Sequence, residues 1–241
     1  TANTILSANT GGDIWMGGTV NGAYSLTLNT TGTNILTSAI GGTTALTSLT
    51  TNAGGATFIT DAITTTGTQT YNDGVHLFAP ITLTTTNSDV TFGGTIDSDA
   101  GQTNHLTIDT NGTTGTIQFG GLVGNTVALG AIGITGNLDL DANIVGAASL
   151  AVSGSSNLGA NVTTSGNQTY TGAVTLSGGT RALQGSTVNF VSTLAGGSNA
   201  LTITGILDLD GAATGLTTLL VSDTSNLGAN VTTTSTQTYQ G

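Results

Sequence analysis

The chain has no cysteine, no lysine and no glutamate, and only one arginine (Arg181) and one proline (Pro80) in 241 residues. Without cysteine there is no disulfide framework and no thiolate chemistry. Without lysine, and with a formal net charge of −11, there is no basic patch to displace counterions from a phosphate backbone. That excludes nucleic-acid binding. The longest apolar runs are short, well below the length of a membrane span. No basic, apolar, small-residue leader opens the chain at Thr1, so the sequence reads as a mature protein or a piece of one.

What is present points to β structure. Threonine occurs 54 times and glycine 38 times, while 37% of residues are hydrophobic. That apolar share separates the chain from disordered sequences of equally low complexity. Helix is disfavoured because Thr, Asn, Gly and Ser dominate where Glu, Lys and Arg would be expected. Val, Ile and Leu alternate with Thr, Ser and Asn, which is the pattern of strands with one buried face.

Internal repeats decide the architecture. Residues 156–170 read SNLGANVTTSGNQTY and residues 225–239 read SNLGANVTTTSTQTY, so Ser156 corresponds to Ser225 and Tyr170 to Tyr239. An earlier copy, ITTTGTQTY, covers residues 63–71, so three of the four tyrosines share one repeat position. Between these copies lie DIWMGGTV (13–20), DVTFGGTI (89–96) and VNFVSTL (188–194). Each is followed by an apolar–polar–apolar triplet, at Leu26–Leu28, Leu106–Ile108 and Leu201–Ile203. LDLD then recurs at Leu138–Asp141 and Leu207–Asp210. The stretch from Tyr71 to Tyr170 is longer than the stretch from Tyr170 to Tyr239. Nearly all the excess falls between Ile108 and Leu138, where the later copy passes almost directly from Ile203 to Leu207. The excess is an insertion of about 26 residues that itself alternates like strand and fits one additional coil of a solenoid.

Period-two alternation sends the outer pair of each triplet inward and its middle Thr, Ser, Asn or Asp outward. Gly and Asn supply the corners. The expected fold is an all-β, right-handed parallel β-helix (β-solenoid) of roughly ten coils of about 20–26 residues, a rod about 50 Å long. Residues 1–241 form a single solenoid with repeat units 1–62, 63–161, 162–230 and 231–241. Phe92, Phe190 and Met16 share one aligned position and are expected inside. The repeated tyrosines are expected either inside with a wet hydroxyl or covering a corner.

Repeats such as SNLGANVTTSGNQTYTGAVTLSGGT and GSTVNFVSTLAGGSNALTITGILDLDG resemble those of filamentous haemagglutinin-like exoproteins and autotransporter-type adhesins of bacteria. The resemblance spans about Asp13 to Gly241, is one of repeat style, and brings no catalytic motif. It implies a β-helical shaft, extracellular or on the bacterial cell surface. Neither the NPNG-type secretion motifs nor a C-terminal barrel is found, and the chain stops just after a new repeat has begun. The expectation is an internal stretch of a longer chain, or a unit whose open ends stack on other copies.

Candidate chemistry is sparse. His76 lies shortly after Asp73, and His105 lies near Asp97 and Asp99, but no nucleophile elbow accompanies either. Arg181 alone is a poor inventory for a polysaccharide lyase. Asp139/Asp141 and Asp208/Asp210 sit two apart on one strand face, as paired hydrolase carboxylates would, yet they recur in both repeats and so read as a structural position. Calcium is the better use for Asp139, Asp141, Asp208, Asp210, Asp97 and Asp99, with solvated aspartates the plainer alternative. Thr64–Thr66, Thr82–Thr84 and Thr232–Thr234 offer the Thr-x-Thr spacing of ice-binding faces, although threonine is spread over the whole repeat. The function expected is a non-catalytic structural shaft or filament module of an adhesin-like surface protein. The alternatives are a subunit stacking end to end and a glycan- or ice-binding β-helix. Partners would be further repeats or copies of the chain, or a cell-surface glycan or protein receptor; no cofactor is expected beyond calcium.

Overall fold

Alternating triplets separated by Gly and Asn leave each short strand with one apolar face and no partner of its own, so successive strands must stack. In the computed structural model, which describes residues 2–241, they do so as a parallel β-solenoid with no helix. Every strand pairing is parallel, and each coil passes through three faces. Face 1 is a twelve-stranded sheet running from Thr4–Ser7 to Val231–Thr233. Face 2 begins as a five-stranded sheet, Ile14–Met16 to Ile96–Ser98. It continues through the bridges Ile96 to Val123 and Val123 to Ile144. Face 3 starts at the bridges Val20 to Ile40 and Ile40 to Ile63 and carries Ile81–Thr84, Leu106–Asp109 and the strands stacked beyond them.

Twelve strands on face 1 mean twelve rungs, somewhat more than the length of the expected coil implies. The difference arises in the second half. There the inward positions Leu138, Ile144, Leu150, Ser156, Val162, Gln168 and Val174 follow one another at every sixth position. Leu138 stacks on Ser156, Ile144 on Val162, Leu150 on Gln168 and Ser156 on Val174. Asp139 and Asn157, paired on the same face, give the coil length directly, a separation of 18. Six positions are the minimum for a face: an in–out–in triplet plus a corner of three. With corners this short, faces 2 and 3 fuse into single bent strands, Ile144–Val152, Arg181–Phe190 and Leu201–Leu209. The first rungs use longer corners, so that Leu26 stacks on Leu49. At roughly 4.8 Å per rung, eleven steps give a rod of about 53 Å.

The insertion is one coil, as its length implied: Ile108 pairs with Ile134 on the same face. The long sequence repeat, by contrast, is not a whole number of coils. SNL at Ser156–Leu158 lies on face 1, whereas SNL at Ser225–Leu227 lies on face 3. The offset between the copies covers eleven strand segments, and eleven is not divisible by three. Gln69–Tyr71 therefore lies on face 1, Gln168–Tyr170 on face 3 and Gln237–Tyr239 on face 2. Each copy of the motif wraps a different corner, so the three faces are interchangeable hosts for one sequence.

The interior is a continuous apolar column from Ile14 to Val221, and each fully buried Leu, Ile or Phe adds roughly 1.5–3 kcal/mol. Its largest members stack rung on rung. Tyr71 lies over Phe92 with ring centroids 5.1 Å apart, and Phe92 over Phe119 at 5.5 Å. The rotated copy repeats the pair on face 3, with Tyr170 over Phe190 at 5.4 Å. Phe92 and Phe190 are inside as expected, and Met16 is partly buried against the same core.

Candidate functional site

The recurring T-x-x-x-Q-x-Y motif builds a corner clamp. Gln168 is fully buried, and its Nε2 donates to Val162 O at 3.3 Å, Thr164 Oγ1 at 3.3 Å and Gln184 O at 2.7 Å. Tyr170 then donates its hydroxyl to Gln168 Oε1 at 3.1 Å. Gln69 and Tyr71 repeat the set with Ile63 O, Thr65 Oγ1 and Thr84 O. In the third copy, Gln237 and Tyr239 make the local part of the set while Gln237 is exposed. The hydroxyls of Tyr71 and Tyr170 are thus dry and hydrogen-bonded, which replaces the expected wet hydroxyl, and burial pushes both phenols far up. Thr65 and Thr233, the middle residues of Thr64–Thr66 and Thr232–Thr234, donate to Gly67 O and Ser235 O at corners, while Thr66, Thr82, Thr232 and Thr234 are exposed.

The aspartates are spent along the rod in two ways. Some accept a backbone N–H from the adjacent rung: Asp13 from Thr33, Asp89 from Thr116, and Asp97 from Thr126 and Val127 at 2.8 and 3.2 Å. Asn87, Asn137 and Asn143 do the same for Thr113, Ser155 and Asn161. The short side chain is what reaches one rung away, which fits the use of Asp and Asn with no Glu at all. Others sit in carboxylate–amide columns. Asp139 accepts from Asn157 Nδ2 at 2.8 Å on face 1. Asp208 accepts from Asn189 on one side and Asn226 on the other, on face 3. Asp141 accepts from Gln118 Nε2 at 2.7 Å, while Asp210 is exposed. Asp99 is half-buried, its backbone N–H bonded to Leu77 O. The calcium candidates are therefore dispersed over separate rungs and faces; among the described residues no three His or Asp side chains come together.

The remaining candidates are also separated. Asp73 points into the core, where it accepts from Asn34 Nδ2 at 3.0 Å, Thr57 Oγ1 at 3.3 Å and Gly55 N at 2.8 Å. His76 lies on the outer side of the same wall. His105 Nδ1 accepts from Ala131 N at 2.8 Å. Arg181 is buried, and its guanidinium donates to Gly159 O and Gly179 O, a second kind of corner clamp.

One outward feature breaks the Thr, Asn and Ser pattern. On face 2 of the first rungs, register aligns Trp15 with Ile35, Ile35 with Phe58, Phe58 with His76, and His76 with Asp97. Trp15 is 73% exposed, and Ile35, Phe58 and His76 are half-buried. Phe58 meets His76 edge-on at 5.2 Å and Phe78 at 5.1 Å. The column ends where residues 126–127 cover Asp97. Trp15 is the middle residue of the triplet Ile14–Met16, so alternation is the signal that could have marked it as outward. Its partners could not be aligned from sequence, because the steps from Trp15 to Ile35, to Phe58 and to His76 are all unequal. No family model, no curated protein and no solved structure matches this chain.

Proposed function

We propose that this chain is a structural shaft module of a secreted bacterial surface protein, adhesin-like and without a catalytic role. The observation that supports it is the interchangeability of the faces. A sequence that can host the same motif on any of three corners is selected for stacking, not for one site in one place. Side-chain chemistry goes the same way, since Gln, Tyr, Asn and Asp are used to tie one rung to the next. Localisation at the cell surface and the shaft's length and stiffness follow from that role. The coil deletion suggested by the insertion tests it. Removing residues 109–134 joins Ile108 to Thr135 and brings Phe92 onto Leu140 and Ile96 onto Ile144. The shortened chain is expected to fold with unchanged β-sheet circular dichroism and a rod about 4.8 Å shorter in small-angle scattering. Loss of cooperative folding would count against a shaft of exchangeable coils.

A second reading is end-to-end association of copies. Leu227 is 44% exposed, and Val231 and Tyr239 are only partly covered, so a further coil can add there by strand pairing. Concentration-dependent elongation in sedimentation velocity would separate assembly of copies from one covalent shaft.

A further inference from the structure

We propose that the outward column on face 2, Trp15, Ile35, Phe58 and His76 with Phe78 beside it, is a platform for an extended, uncharged polysaccharide. It goes beyond the shaft role, which does not depend on it. Elsewhere the outward triplet positions carry mostly Thr, Asn, Gln, Asp or Ala: on face 1 the column reads Ile5, Thr27, Thr50, Thr70, Thr91, Gln118, Asp139, with no ring among them. Here alone large rings line up, although a ring left half in water gains the rod little stability. Register places the four residues one per rung along the axis, with Ile35 between Trp15 and Phe58, and Phe78 in the same rung as His76.

Size and charge choose the occupant. From the exposures and the ~150–250 Å² an aromatic side chain carries, the strip offers roughly 300–500 Å². That is about half of the ~800 Å² per partner that a stable protein interface uses, and it is only one side chain wide. A second copy or a globular protein does not fit such a strip, but a thin linear polymer does. Single-stranded nucleic acid also stacks on aromatic ladders, but it needs a basic groove beside them. This chain has no lysine, its one arginine is buried in a later rung, and the column ends at Asp97 and Asp99. An anionic polymer is therefore repelled, whereas an uncharged sugar chain is not. Its C–H faces stack on the rings, and along the flank the Asp99 carboxylate and the Thr60 hydroxyl oxygen, whose own proton goes to Leu36 O, offer acceptors for sugar hydroxyls. Rungs repeat every ~4.8 Å, close to the length of one sugar unit in an extended chain, so successive units meet successive rungs.

Trp15 is the sole tryptophan, so its emission reports the platform directly. The 241-residue chain would be titrated with cellohexaose, xylohexaose, chitohexaose and maltohexaose, with polygalacturonate as the charged comparison. At least one neutral hexasaccharide is expected to shift Trp15 emission saturably. Phe58→Ala should weaken that binding roughly tenfold, the value of one stacked ring, and Thr175→Ala on face 1 should leave it unchanged. Calorimetry with Trp15→Ala, which lacks the optical probe, should show a similar loss, while circular dichroism of each variant confirms folding. The proposal is overturned by any of three results: no saturation with all four neutral sugars at millimolar concentration, equal binding by Phe58→Ala, or a preference for polygalacturonate. A dimer in sedimentation equilibrium that Phe58→Ala abolishes would also overturn it, by making a second copy the occupant. None of these results touches the coil-deletion test of the shaft.

Discussion

The rungs up to Ser98 and the rungs from Asn137 onward obey the same in–out alternation but treat their corners differently. In the later part three short faces close the minimal coil, in which Leu138 meets Ser156 and Ser156 meets Val174, and faces 2 and 3 run together through bent strands. In the earlier part corners are longer, face 2 stands as a separate sheet, and the interior admits Asn34, Thr57 and Asp73 as a buried polar cluster. The difference teaches that coil length is set by corners, while the core is set by triplets. In both parts polar groups enter the interior where they find partners, Gln168 and Arg181 at later corners and Asn34, Thr57 and Asp73 in the earlier rungs, but only the earlier part buries a carboxylate cluster within and leaves large rings without.

The sharpest way to break this comparison is to remove a ring from each part. Phe190 is fully buried in the later rungs beneath Tyr170, so Phe190→Ala should cost about 3–5 kcal/mol in urea unfolding of the whole chain. Phe58 is half-buried in the outer column, and Phe58→Ala should cost about 1 kcal/mol or less. Equal losses would mean that the outer column carries the fold as the inner one does.

Corners give the next largest contrast. Gly205, at the bend of Leu201–Leu209, has φ +127°, and a Cβ there would lie 1.8 Å from Gly185 O. Gly54, in a longer early corner, has φ +109° but nothing nearer than Thr31 Cγ2 at 3.8 Å. Gly205→Ala should therefore lose roughly 2–3 kcal/mol, combining strain with backbone displacement. Gly54→Ala should lose only the strain, about 1 kcal/mol. If the two melt alike, the close approach of Gly185 O adds nothing to the backbone strain.

The same contrast explains what the sequence could tell in advance. Repeats, alternation and the one-coil insertion are legible because a solenoid writes each coil into the chain in order. The number of coils exceeds the expectation because the long repeat, Ser156 onto Ser225, looks like the structural unit and is not. The spacing of Leu138, Ile144, Leu150 and Ser156 carries the true one. Eleven segments per repeat, rotating through three faces, cannot be seen without knowing that three segments close a coil. The outer column is hidden for a related reason. Trp15, Ile35, Phe58 and His76 meet only through coils of unequal length, so no fixed period aligns them. For Asp97 and Asp139, the residues can be named from sequence, but the N–H groups and amides that occupy them lie one rung away and cannot.

Gln168 and Gln237 hold the same clamp in opposite surroundings, one buried and one exposed. Gln168→Ala takes the acceptor from the buried Tyr170 hydroxyl and the amide from Val162 O and Gln184 O, away from water, and should cost about 1–3 kcal/mol. Gln237→Ala lets water take over and should cost a few tenths of that. Similar losses would mean that the last rung is covered in solution, by a further copy of the chain.

The smallest effect compares the two parts where they are alike. Tyr71 and Tyr170 are both fully buried, and burial raises each phenol well above its ordinary value of 10.0. The folded chain therefore keeps both protonated while the unfolded chain ionises near 10.0, so their contribution is complete below that pH and is lost as pH rises above it. Each tyrosine should steepen the fall in stability by up to about 1.4 kcal/mol per pH unit. Tyr71→Phe or Tyr170→Phe should flatten that alkaline limb, at the cost of about 1 kcal/mol near neutrality for the lost bond to Gln69 or Gln168. If the whole rod unfolds as one, the two substitutions flatten the limb equally. If the rungs before and after the inserted coil unfold separately, as nearest-neighbour stacking allows in a repeat array, each substitution will flatten only the transition of its own part. Urea unfolding between about pH 9 and 11, followed through Trp15 for the early rungs and by circular dichroism for the whole, distinguishes the two. A single coincident transition would make the difference in corners a matter of local geometry, with no boundary in cooperativity.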